Sequence, residues 1–393
     1  MKVVLNTEAL RPPITGIGNY TFHLLEELAA RDEIDEVHCF NGTQWMQAKA
    51  QLAITGAVRD HVGDKNPRLL EWGLEHIRDA VARVPGAKYC YSRIMDRRFS
   101  AVAARVPGAI YHETNYALKP YAGPCITTVH DMSYKTHTGY HPPDAVARLE
   151  ANLPQSIRRA DRIITDSNLV REELLAHFDV PAEKVRTVYL GADHHYQPRT
   201  EAQTSEILSR HGLTHGQYVL IAATLEPRKG IDTLLDAWPL LPEELRRAFP
   251  LVIIGSRGWH NEALLRKLSA LVAGGTVHHL GYLPANELPM IFSGAAVFSY
   301  PSLYEGFGLP VLEAMSSGVP VICRDGTAMA EFAEGSCLLC EGGSAEELFA
   351  NLQLLLSDAN ARERWSGLGL SQAKKFSWER CASNTIDIYK EVS

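Results

Sequence analysis

Short apolar, β-branched runs alternate with longer amphipathic stretches along this chain, and the alternation happens twice. Runs such as "KVVLN", "VHCF", "AIYHE", "CITTVHD", "RIITDS" and "VRTVYLG" fill the first half. "YVLIAATL", "LVIIGS", "VHHLGYL", "AAVFSYPS", "PVICR" and "CLLCEG" fill the second. Between them lie helical patterns such as "NYTFHLLEELAARD", "NLVREELLAHF", "GIDTLLDAWPLL" and "NEALLRKLSALVAGG". Strand–helix alternation of this kind predicts parallel sheets covered on both faces. Two sets predict two Rossmann-like α/β domains. At roughly 100–200 residues per domain, a chain of 393 residues has room for both. The polar stretch Gly191–Ile207 is the expected seam.

Composition excludes several classes. Hydrophobic residues make up 46% and charged residues 22%, as in an ordinary globular protein. The net charge of −7 argues against nucleic acid as a partner. The short apolar run Val3–Leu5 is no signal segment, and no stretch approaches the ~20 apolar residues of a membrane span. A cytoplasmic chain, at most peripheral to a membrane, is expected. The seven cysteines are odd in number and mostly sit in apolar runs, which suits buried thiols in a reducing compartment. Cys337 and Cys340 form a lone CxxC inside a strand pattern, without the second pair a zinc site needs.

In open α/β sheets ligands sit beyond the carboxyl ends of the strands. Four strand-end segments therefore carry the chemistry. "YEGFGLPVLEAM" holds Glu305 and Glu313 around a glycine turn. Pro310 suits the first helical position and Gly318 the helix end. Amides near Gly308, Leu309 and Val311 would favour a phosphate. Glu313 is expected in the first turn, leaning toward a ribose diol, with Glu305 facing the cleft. The alternative is that Glu313 only complements the helix dipole and Glu305 is solvated. In "ATLEPRKG", Arg228 and Lys229 either neutralise a diphosphate or form a solvated basic loop. Gly16 and Gly18 open a helix after the first strand, where a backbone can approach a ligand closely. No G-x-G-x-x-G or GxxxxGK[ST] accompanies them. His130 and Asp131 leave the fourth run of the first half; His130 either reaches a ligand or is a satisfied core histidine.

Together these segments resemble the retaining GT-B glycosyltransferases of family 4. Glu305 and Glu313 match its E-x7-E motif, and "LGAD", "TDSN", "GYLPANELPMIFSGAAVF" and the terminal "FSWERCASNTIDIYKEV" also fit. The resemblance covers essentially the whole chain. It implies an acceptor-binding domain over 1–196, a nucleotide-sugar domain over 197–375 and a helix over 376–393 crossing back onto the first. Glu313 would bind the nucleotide ribose and Glu305 the donor sugar. Arg228 and Lys229 would hold the diphosphate with the amides of Gly306, Phe307, Gly308 and Leu309. His130 would sit beside the donor sugar. Gly16 and Gly18 would border phosphate and acceptor, and Tyr282 would flank the base. Thr224 stands where many relatives carry an arginine, so Arg228 beside Lys229 departs from the commoner spacing. No Asp-x-Asp occurs, so a metal-clamped diphosphate is not expected, and no cofactor is implied.

The resemblance further implies hexose transfer, of mannose or rhamnose type, from a GDP-linked donor to a growing or lipid-linked glycan, as in lipopolysaccharide synthesis. A UDP-hexose donor, or a sugar-nucleotide epimerase on the same fold, is the alternative. His112, Glu113, Asn115 and Tyr116 are candidate acceptor residues. The stretch from Lys65 to Arg105 holds nine Lys or Arg against four Asp or Glu, with Trp72, Tyr89 and Tyr91, and would suit an anionic membrane surface.

Overall fold

A computed structural model describes residues 1–12, 14–42, 44–61, 87–258 and 261–393. Of 59–61 and 87–92 it describes the helical backbone only. Much of the basic stretch from Lys65, with Trp72 and the side chains of Tyr89 and Tyr91, lies outside the described residues.

The first sheet has seven strands: β1 (Lys2–Asn6), β2 (Glu36–Phe40), β3 (Trp45–Gln47), β4 (Ile110–Glu113), β5 (Cys125–Val129), β6 (Arg162–Thr165) and β7 (Val185–Thr187). Their order is β3-β2-β1-β4-β5-β6-β7. All neighbours pair parallel except β3, an antiparallel edge on β2. The second sheet has six: β8 (Val219–Ala222), β9 (Leu251–Ile254), β10 (Val277–Gly281), β11 (Val297–Tyr300), β12 (Val321–Arg324) and β13 (Leu338–Cys340). Their order is β10-β9-β8-β11-β12-β13, and all pair parallel. Central strands are buried because helices cover both faces; β5, β9 and β11 are buried at every residue. The expected pair of Rossmann-like domains is present.

Each sheet reverses direction once, between β1 and β4 and between β8 and β11. These are the switch points, where the loops leaving neighbouring strands diverge and open a crevice. The loop after β8 carries Arg228 and Lys229, and the loop after β11 carries Glu305.

The chain leaves β7 and crosses at Gly191, where Ala192 bridges Ser377. A Cβ on Gly191 would lie 2.1 Å from the Trp378 amide, so only glycine allows the two backbones to cross there. By Arg199 the chain is part of the second unit, its N–H bonded to Ser293 Oγ at 2.8 Å. The terminal helix Trp378–Val392 returns to the first unit. Tyr389 bonds His112 at 2.7 Å, Glu391 takes Arg162 and Arg186, and Trp378 stacks on His23 with centroids 5.0 Å apart.

Candidate active site

The loop after β8 forms a single 3-10 turn, Pro227–Lys229, closed by Gly230 in the left-handed region. A Cβ on Gly230 would meet the Pro301 carbonyl at 2.1 Å, so this glycine sets the two switch-point loops against each other. Lys229 Nζ then donates to both oxygens of Glu305, at 2.8 and 3.1 Å. Ser302 donates to Glu305 Oε1 at 2.7 Å. Arg228 donates to the Tyr304 carbonyl at 2.7 Å and lies 3.7 Å from Glu305 and 3.9 Å from Glu226.

The electrostatics follow from that packing. Burial would raise Glu305, yet Lys229 and Arg228 outweigh it and hold the carboxyl below its ordinary range. Burial would likewise lower Arg228, but Glu305, Asp131 and Glu226 raise it. Glu226, with weaker partners, is pushed up by burial against the pull of Lys229 and Arg228. Two cations and an ionised carboxylate are therefore fixed beneath the cleft. Such a cluster can re-partner with an anion at small reorganisation cost.

Helix Leu309–Ser316 starts after the glycine turn, with Gly308 at φ +105°. Pro310 occupies its second position rather than its first, and Glu313 its fifth, one residue beyond the first turn. The Val311 N–H is bonded to the Gly308 carbonyl at 3.0 Å. It is thus not a phosphate donor; the amides ahead of Pro310 are the candidates. Phe307 is buried and stacks on Phe332, so it shapes the turn from beneath.

Across the cleft His130 is buried, edge-on to Tyr20 at 4.9 Å. Its Nε2 donates to the Thr114 carbonyl and its Nδ1 pairs with Asp166, each at 2.7 Å. Burial would lower its pKa, but Asp166 and the Thr114 carbonyl raise it above the ordinary value. Both nitrogens thus stay engaged within the protein, facing a carboxylate and a carbonyl. Its backbone carbonyl faces Gly306, where a Cβ would sit 1.8 Å away. The glycine turn and the His130 loop therefore touch backbone to backbone.

The remaining candidates separate. Thr224 is half-buried, its methyl 3.1 Å from a Cβ built on Gly258, and Tyr282 is exposed after β10. Gly16 is exposed at the start of helix Gly16–Ala29. Gly18 is buried, and a Cβ there would meet the Ala9 carbonyl at 2.6 Å, a packing requirement. Among the acceptor candidates His112, Glu113 and Tyr116 are buried with internal partners. His112 bonds Tyr389 and Thr128, and burial drives it down to about 3. Glu113 receives Tyr111 at 2.5 Å and Asn6 at 2.6 Å, and burial drives it up to about 7. Tyr116, at φ +61°, accepts the Asp131 N–H at 3.0 Å. Asn115 alone of the four is exposed.

Sequence reasoning passed over Asp166, Ser302 and Glu226. Asp166 stands in "TDSN", directly after β6, where strand-end position was the available signal. Ser302 and Glu226 had none beyond lying near residues already singled out. Asp193, His194 and His195 bring metal-ligating atoms within 4.8 Å of one another at the crossing segment, outside the Glu305 cluster.

Two family models divide the chain between them. The Glycosyltransferase Family 4 model matches residues 14–196, and the Glycosyl transferases group 1 model matches 205–369. The O-antigen chain mannosyltransferase B of Escherichia coli is 35% identical over 390 residues, covering 99% of this chain and 100% of that protein. The MMP alpha-(1->4)-mannosyltransferase of Mycolicibacterium hassiacum is 30% identical over 239 residues, 60% of this chain and 55% of that one. Among solved structures, Anabaena HepE with UDP and glucose superposes with a TM-score of 0.70 at 16% identity, over 99% of both chains. WaaG, a glycosyltransferase of lipopolysaccharide biosynthesis, gives 0.68 at 14%, again over 99% of both.

Proposed function

The chain belongs to glycosyltransferase family 4, and we propose that it is a retaining mannosyltransferase that moves mannose from a GDP-linked donor to a growing polysaccharide. The full-length likeness to an O-antigen mannosyltransferase supports the sugar and the acceptor class. The observation that carries the chemistry is the Glu305–Lys229–Arg228 cluster at the second switch point.

In this reading the diphosphate lies over Lys229 and Arg228 and against the amides of Gly306 to Leu309. Glu305 and Glu313 take hydroxyls, of the donor sugar and the ribose respectively. The sugar C1–oxygen bond to the β-phosphate breaks as the acceptor oxygen bonds C1 on the same face. The acceptor's proton passes to the departing phosphate oxygen, so no enzymic nucleophile is needed. The two cations and the amides meet the charge that develops on the leaving group, the role a metal ion fills elsewhere. His130 supports this by shaping the first-domain wall rather than by donating to the ligand, because Asp166 and Thr114 already occupy its nitrogens. Asn115 is the acceptor-side residue that remains available.

Peripheral contact with an anionic membrane belongs to the proposal. Its support is helix Ala87–Ala103, which exposes Ile94 beside Arg93, Arg97 and Arg98. Among the described residues no helix is long and apolar enough to cross a membrane.

The test is transfer itself. GDP-mannose and a mannan-type acceptor, incubated with enzyme in EDTA, are expected to give an α-linked product. Heat stabilisation by GDP but not UDP is expected alongside, because ligand binding to the native state raises Tm. Stabilisation by UDP alone would transfer the proposal to a UDP-hexose. Consumption of donor without any acceptor product would favour an epimerase.

A further inference from the structure

The residue before Glu305 belongs to the second domain, yet its side chain is spent on the first. Tyr304 is 3% exposed. Its hydroxyl accepts the Met132 N–H at 2.9 Å and donates to the Glu173 carboxylate. Its ring lies 4.8 Å from that of His137. Met132 is two residues from His130, and Glu173 lies on helix Asn168–His177, which follows β6 and Asp166. One phenol thus ties the donor-side turn to both first-domain segments that carry the His130–Asp166 pair.

A second contact reaches the same helix. Glu331, from helix Ala328–Ala333 of the second domain, accepts the Asn168 and Leu169 N–H groups at 2.9 and 2.6 Å. Tyr189 donates to it at 3.0 Å. A carboxylate across two leading amides of a helix is favoured by the helix dipole. Glu331 is exposed, so solvent weakens its contribution, whereas Tyr304 is buried.

We propose that Tyr304 is a positioning residue, with Glu331 as its weaker companion: together they seat helix Asn168–His177 on the second domain and so fix the distance between Glu305 and His130. The turn is built for this double duty. Tyr304 grips the first domain, Glu305 grips Lys229, Gly306 lies against the His130 carbonyl, and Phe307 stacks on Phe332 beside Glu331. Any shift of the domain seam moves the carboxylate that meets the donor sugar. Tyr304 touches no reacting atom. Its backbone carbonyl, which holds Arg228, is unaffected when the hydroxyl is removed.

This inference rests on the donor-site reading, and its test separates the two. Tyr304→Phe and Glu331→Gln are compared with wild type for GDP affinity, transfer from GDP-mannose, donor hydrolysis and amide exchange over residues 130–136 and 166–172. Tyr304→Phe is expected to lower kcat about tenfold, leave GDP Kd within twofold and raise the hydrolysed fraction of donor. It also speeds exchange in the 130–136 peptide. Glu331→Gln is expected to lower kcat about twofold and speed exchange at 166–172. Should Tyr304→Phe fail to fold, Glu173→Leu removes the same bond and is expected to reproduce the loss. Unchanged kcat in a folded Tyr304→Phe or Glu173→Leu enzyme overturns the proposal. So does a tenfold loss of GDP affinity, which would make Tyr304 a nucleotide contact. If wild type transfers no mannose, the donor reading fails, and the exchange rates still decide whether Tyr304 holds the seam.

Discussion

Two strand-end regions treat their polar side chains in opposite ways: His112 and Glu113 are fully buried, whereas Arg228 and Lys229 are half-buried beside the buried Glu305. At the end of β4, His112 falls to about 3 and Glu113 rises to about 7. Both move toward their neutral forms: burial outweighs the pull of Lys119 on Glu113, and on His112 burial and the neighbouring His130 act together. Beyond β8 and β11, Glu305 is held down and Arg228 is held up, each toward its charged form, because they face each other and Lys229. The first region spends its polar groups on scaffold hydrogen bonds. The second keeps charge in place at the switch point, where an anionic ligand can draw on it. Depth of burial therefore does not mark a site; charge held in place does.

The comparison breaks first at its charged end. Glu305→Ala or Lys229→Ala is expected to lower kcat/KM for transfer at least 10²-fold, in line with removing preorganised electrostatic groups, with circular dichroism unchanged. Full activity in either variant would erase the distinction. Gly306→Ala comes next. Its Cβ must displace the His130 carbonyl, which would sit 1.8 Å away, so the seam opens. Transfer is expected to fall more than tenfold while GDP still binds the second domain, read by calorimetry. Glu313→Ala is milder, an increase in donor KM of about tenfold with kcat nearly kept, if its partner is the ribose.

The neutral end gives the smallest effect. The folded-state pKa of Glu113 is raised, so the folded protein holds a proton that the unfolded chain has released. Stability is therefore greatest below the ordinary glutamate value of about 4.3 and declines as pH rises toward about 7. Denaturant melts between pH 5 and 7 should show this decline, and Glu113→Gln should flatten it. An unchanged slope in the variant would mean that the carboxyl is charged after all.

The strands were readable because each is a short apolar run bounded by polar turns. β3 was not: three residues, Trp45–Gln47, pair antiparallel at an edge and leave no period to detect. Arg228, Lys229 and Glu305 stood out because they follow strands, yet their mutual contact needed Gly230 to bring two loops together. The engagement of His130 by Asp166, 36 positions away, is long-range pairing that residue spacing does not encode. The same holds for Tyr304 with Glu173, 131 positions apart. Pro310 was displaced by one position because Gly308, not Leu309, caps the helix. The burial of His112 and Glu113 follows from the returning helix Trp378–Val392 and from Tyr111 and Asn6, none of which a local reading joins to them.

The most direct measurement is calorimetric titration of GDP-mannose in EDTA against wild type, Lys229→Ala and Arg228→Ala. Binding to wild type without added metal, weakened at least tenfold in both variants, is the predicted result. Binding that requires a divalent ion, or that survives both substitutions unchanged, would contradict the claim that these two half-buried cations hold the donor's diphosphate.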